Sequence, residues 1–159
     1  MMRGEFDGAI AEIERALELN PNLSLAWYAL GFVLYFADRS AEAIPHFDRA
    51  MRMSPNDPAL WAMENAKGMA CWQLEQPKEA LVWQLKASRH PNCDFSPHAS
   101  LASLFIELDR PKEARAAIDI VLEKRPDMTV TAVQAMFRAA RYSRKEEFIE
   151  NLRKAGLPE

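Results

Sequence analysis

Residues 9–55 read AIAEIERALELNPNLSLAWYALGFVLYFADRSAEAIPHFDRAMRMSP. Within this stretch Ala9 returns as Ala43, Ala16 as Ala50 and Pro21 as Pro55, each 34 residues on. A regular interval of this length settles the architecture before any local signal is weighed. The residues between the small ones recur at helical spacing. Ile10, Ile13, Ala16 and Leu17 share one face, and Trp27, Leu30, Gly31 and Leu34 share the next. Two helices per 34 residues, closed by a proline corner, make a solenoid unit. Such a unit buries its apolar face only against its neighbours.

The same pattern extends along the chain. Corner prolines stand at Pro21, Pro55, Pro91 and Pro126, spaced 34, 36 and 35 apart. The fold class is therefore all-α, a solenoid of antiparallel helix pairs with a C-terminal helical cap. Helices are predicted over 6–19, 23–38, 41–53, 58–74 and 77–89, then from Ser96, from Pro111 and over 129–141. Pro45 is placed near the first turn of the third helix, where its missing donor is best tolerated. Asp57 reads as an N-cap with Pro58 at the first helical position. Ala43 to Ala80 is 37 residues, which suggests a fourth helix lengthened by about one turn. Ser143 to Glu146 reads as a capping box that opens a ninth helix, apolar at Phe148, Ile149 and Leu152. The chain divides into a half repeat (1–23), three repeats (24–57, 58–94, 95–128) and two capping helices (129–159).

At this point the sequence resembles the tetratricopeptide repeat family. With Trp27 as the fourth position of a unit, Leu30, Gly31, Ala43, Phe47, Ala50 and Pro55 fall at positions seven, eight, twenty, twenty-four, twenty-seven and thirty-two. The family's tyrosine at position eleven is Leu34 here. The first unit keeps Ala9, Ile13, Ala16 and Pro21, and the third keeps Gly68, Ala80 and Ala87 with Gln84 in place of the aromatic. The fourth keeps Leu101, Phe105, Ala114, Ile118 and Pro126. More weakly, the third unit and the closing LRKAGLPE resemble the repeat tails of bacterial nucleotide cyclases and some transcriptional regulators. That likeness implies an accessory domain of a signalling enzyme, and none of the catalytic part is in this chain.

The family implies a right-handed superhelix and a non-catalytic module that binds proteins along its concave groove. The positions that line that groove in the family are Leu25, Tyr28, Phe32, Tyr35 and Phe36 in the second unit. Asn65, Met69 and Trp72 follow in the third unit, and Ser103 and Ile106 in the fourth. The resemblance thus implies an aromatic wall, not the Lys, Asn and Arg set that clamps a peptide carboxylate. Three occupants suit this wall: a partner peptide or helix, the absent first helix of unit one, or a second copy of the chain. The half repeat at the start raises the same question, because its open face needs cover from a longer protein or from a homodimer.

Composition narrows the rest. A net charge of −3 and a pI near 5.7 argue against nucleic acid and anionic membrane as partners. No apolar run approaches the length of a membrane span. Two cysteines cannot build a disulfide framework and point to a reducing, cytoplasmic setting. With 5 glycines and no nucleotide-loop, zincin or nucleophile-elbow motif, no enzyme and no cofactor are expected. Adjacent acids such as Glu146 and Glu147 read as a solvated helix face. His90, Cys93 and His98 have spacing that could supply three zinc ligands, but no fourth is near, so a corner with a half-buried cysteine is the better reading. Cys71, at a packing position, is expected in the core.

Overall fold

The computed structural model describes residues 3–159, without the side chains of the first two of these, and the described chain is all-α. Nine helices follow one another: α1 (Arg3–Leu19), α2 (Ser24–Phe36), α3 (Ser40–Met53), α4 (Leu60–Gln73), α5 (Pro77–Ser88), α6 (Ser96–Glu107), α7 (Pro111–Lys124), α8 (Val130–Met136) and α9 (Lys145–Ala155). The tightest pairs are α2 with α3, α4 with α5, and α6 with α7, and each pair stacks on the next. This is a helical solenoid.

Small residues decide how closely the rods approach. A Cβ on Gly31 would lie 2.7 Å from the Phe47 ring and 3.1 Å from the Ala43 carbonyl. One unit on, a Cβ on Gly68 would lie 2.8 Å from Gln84 and 3.3 Å from the Ala80 carbonyl. In the following unit Ala102 meets the same need and is fully buried. Ala43, Ala80 and Ala114 are all at 0% exposure, while Ala9 in the half repeat is only half-buried. The recurring alanines therefore occupy matching inter-helix contacts in three complete pairs.

The turns inside each pair also repeat, through a feature that residue types alone do not announce. Asp38, Glu75 and Asp109 all adopt left-handed backbone, with φ of 64°, 58° and 56°. The following amides close the same loop in each: Arg39 to the Leu34 carbonyl, Gln76 to Cys71 and Arg110 to Phe105, at 2.9, 3.0 and 2.8 Å. These are helix C-terminal closures usually built on glycine. Here acidic residues hold the strained position, so the low glycine count conceals them.

Five expectations about element boundaries need correction. The surplus before Ala80 lies mainly in a corner, not in an extra turn of α4. That helix has 14 residues against 13 in α2, whereas the corner before it spans 54–59 against 20–23 for the first. Asp57 does not cap at Pro58: its Oδ1 accepts from Ala59 N at 2.8 Å in a local turn, and α4 starts at Leu60. Pro45 sits beyond the first turn of α3, which starts at Ser40. The Ala41 carbonyl it leaves unpaired is on an exposed residue, where water can serve it. Finally, α8 ends at Met136 instead of 141, and Ser143 is no capping box residue. Its amide instead reaches Asp38 Oδ1 at 3.0 Å, and α9 begins at Lys145 with no side-chain cap.

That last departure shapes the molecule. α9 packs on α6 and α7 and so covers the end of the stack. The segment between α8 and α9 crosses the concave side back to α2, where Arg141 N donates to the Phe36 carbonyl at 2.8 Å. Among the described residues no helix is long and apolar enough to cross a membrane.

Candidate functional site

The concave groove is built from the inward faces of α2, α4 and α6, as the repeat spacing requires. Its ten expected lining residues separate into three groups. Tyr28, Phe32, Tyr35, Phe36, Asn65 and Met69 do line one cavity, of about 390 Å³. Sequence reasoning missed the remaining walls: Trp61 and Ala62 at the start of α4, Asp94 and Phe95 before α6, and Val133, Met136 and Phe137 from α8 and its exit. Trp61 sits four residues before Asn65, one turn away on the same face, so this signal was legible. The α8 contribution was not, because it depends on a chain reversal.

A second group is covered by the C-terminal segment. Trp72 is 1% exposed and Ser103 1% exposed. Phe148 meets the Trp72 ring edge-on at 6.0 Å, and the Arg144 guanidinium lies 4.0 Å over its face. Arg144 also donates to the Trp72 carbonyl and, at 2.9 Å, to Glu107. Asn151 Nδ2 donates to Ser103 Oγ at 3.2 Å. These two residues are therefore filled by the chain itself and present nothing to a partner. Ile106 is half-buried and, like Leu25, does not line the cavity. Leu25 stands apart as the third case, 69% exposed beside Leu19 and Leu23 at the first corner.

The aromatic wall is continuous. Phe32 lies 4.6 Å from Phe36 and 5.9 Å from Tyr28, ring centre to ring centre. Tyr142 stacks on Tyr35 at 5.2 Å, and Phe137 stacks on Phe36 at 6.1 Å. Tyr35 is consequently buried, and burial pushes its phenol well above the ordinary range, with Tyr142 adding to the effect. Tyr28 keeps access to the cavity. Burial raises its phenol too, and the nearby Asp94 carboxylate contributes. Both rings are neutral hydrogen-bonding groups at physiological pH. Asn65 Oδ1 is buried with no hydrogen-bond partner.

The zinc-like spacing does not converge. His90 Nε2 pairs with Glu64 at 2.9 Å, while Cys93 Sγ and His98 Nε2 are 4.0 Å apart. No group of three potential metal ligands occurs among the described residues. Cys71 is in the core, and burial pushes its thiol up to about 11. Glu146 and Glu147 are exposed, as a solvated face requires.

Comparison with known proteins agrees with this architecture. Residues 2–58 match the sequence model described as tetratricopeptide repeat. Two curated relatives are peroxisomal targeting signal receptors. That of Candida glabrata is 42% identical over 52 residues, 33% of this chain, and that of Saccharomyces cerevisiae 41% over 54 residues, 34% of this chain. Each match spans 9% of the receptor's length. Among solved structures, MamA superposes with a TM-score of 0.68 at 18% identity, over 96% of this chain and 88% of that one. YrrB, described as a TPR protein with an unusual peptide-binding site, superposes with a TM-score of 0.60 at 26% identity, over 96% and 77%. A thermophilic TPR protein from Thermus thermophilus, TTC0263, superposes at 0.67 with 16% identity, over 86% and 73%. The repeat-model match marks residues 2–58 as tetratricopeptide repeat, and the helix pairs with their recurring alanines and the shared fold support the same reading for the rest of the chain.

Proposed function

We propose that this chain is a protein-interaction scaffold that holds a partner peptide in the open part of its concave groove. Tetratricopeptide repeats are generally non-catalytic scaffolds, and the groove described above has no nucleophile–base pair to suggest otherwise. The observation that carries the reading is the aromatic cavity of about 390 Å³, a size within the range of ordinary ligand pockets. Peptide binding by a structural relative supports it. Tyr28, Phe32, Phe36, Asn65 and Met69 are the assigned contact residues. A random peptide library displayed on phage should yield binders to the full chain. Tyr28→Ala combined with Phe32→Ala should weaken them at least about tenfold, since aromatic anchors dominate such interfaces, with helicity by circular dichroism unchanged. Undiminished binding by the double variant would remove the groove from the account.

A second reading rests on a different surface. Leu19, Leu23 and Leu25 are 83%, 43% and 69% exposed around the first corner. Clustered exposed leucines mark association surfaces, and we infer that two copies meet there. Light scattering should give twice the chain mass at high micromolar concentration, and Leu25→Glu should return it to one. A single-chain mass for the parent at every concentration would rule the dimer out.

A further inference from the structure

The open cavity has a definite electrostatic character. Among the described residues, Asp94 is the only lining residue that carries a formal charge. The rest of the wall is aromatic and aliphatic except for a few neutral polar groups, of which Asn65 Oδ1 is a buried acceptor without a donor. Ring faces are negative, so a wall of Tyr28, Phe32 and Trp61 favours a cation. Phe95 already has the Arg125 guanidinium 5.4 Å over its ring. The Asp94 carboxylate, the ring faces and Asn65 Oδ1 therefore favour positive charge and N–H donors, and among the described residues no lining side chain supplies the charge.

The chain also contains an internal example of what the groove accepts. At the other end of α4, Arg144 lies 4.0 Å over Trp72 and donates to Glu107 of α6 at 2.9 Å and to the Trp72 carbonyl. An aromatic face from one first helix, a carboxylate from the next unit and a main-chain acceptor together hold a guanidinium. The open cavity offers comparable groups in Trp61 and Phe32, the Asp94 carboxylate and the side-chain acceptor Asn65 Oδ1, and among the described residues no arginine lines it.

We propose that the cavity is a guanidinium site, which takes an arginine side chain from the partner peptide. This deepens the scaffold reading and rests on it for the source of the arginine. A planar guanidinium suits the site better than an ammonium, because it stacks on rings while its edge donates several hydrogen bonds. Asp94 already spends Oδ1 on Ser96 N at 2.6 Å, which leaves Oδ2 as its remaining acceptor.

The test is a titration of the full chain, followed by NMR, with N-acetyl-arginine N-methylamide. The control is the citrulline analogue, which has the same shape and no charge. The expected result is saturable shifts of the Trp61 indole N–H and the Phe32 ring. Binding should be about tenfold weaker for citrulline and similarly weaker for arginine on Asp94→Asn, which retains the acceptor for Ser96. Equal binding of the two probes, absence of shifts at these rings, or indifference to Asp94→Asn would each overturn the proposal. The displayed library separates it from the scaffold reading. Binders that need Tyr28 and Phe32 but carry no arginine would leave the scaffold standing and this inference refuted.

Discussion

Ala43→Glu is expected to destabilise the protein by about 4 kcal/mol or more, the range reserved for burying an unpaired charge. Ala43 is 0% exposed on the α3 face that meets α2. The backbone there is already close, because the Ala43 carbonyl would lie 3.1 Å from a Cβ on Gly31. A glutamate has no room and no path to water, so the two helices must separate. Ala41→Glu, on an exposed position of the same helix, should cost less than about 0.5 kcal/mol. Urea unfolding of both variants decides the matter. Equal midpoints would mean that the repeat register is wrong, since the register is what places one alanine inside and the other outside.

The second large effect concerns the C-terminal segment. Phe148→Ala should cost about 3–5 kcal/mol, as large aromatic truncations in cores do. Phe148 is 3% exposed and meets Trp72 at 6.0 Å and Phe137 at 5.6 Å, both edge-on. Its removal takes away the contact that seats α9 over Trp72. A spectroscopic consequence follows: with Trp72 hydrated, the tryptophan emission should shift to longer wavelength before global unfolding. Lys154→Ala, at an exposed position of α9, is the control and should change neither property. Parent-like stability and emission in the Phe148 variant would show that the segment does not hold this groove closed.

The two effects differ in how far they could be foreseen. The position of Ala43 follows from its return at a fixed interval with Gly31 and Phe47, and local spacing is sufficient because each helix pair touches only its neighbours. The role of Phe148 does not. Its apolar face with Ile149 and Leu152 was visible, but the surface it covers lies on α4 and α6, far back in the chain. The same gap explains the fate of the expected groove residues. Tyr28 and Phe32 line the open cavity, whereas Trp72 and Ser103 are occupied by Arg144 and Asn151. A helical period tells which face a residue is on and says nothing about what later folds onto that face.

The left-handed turns show a similar division. Asp38, Glu75 and Asp109 recur at equivalent places, but acidic residues are not a turn signature of the strength of glycine. Only the backbone reveals that these three positions are the same closure.

Amino-acid order alone thus dictated the helix pairs, their stacking and the aromatic nature of the inner surface, because every one of those features arises between residues a few tens of positions apart. Three-dimensional packing alone decided which part of that surface stays open. The contacts that anchor the covering segment, Ser143 to Asp38 and Arg141 to Phe36, join residues more than a hundred positions apart, with no periodic trace in the chain.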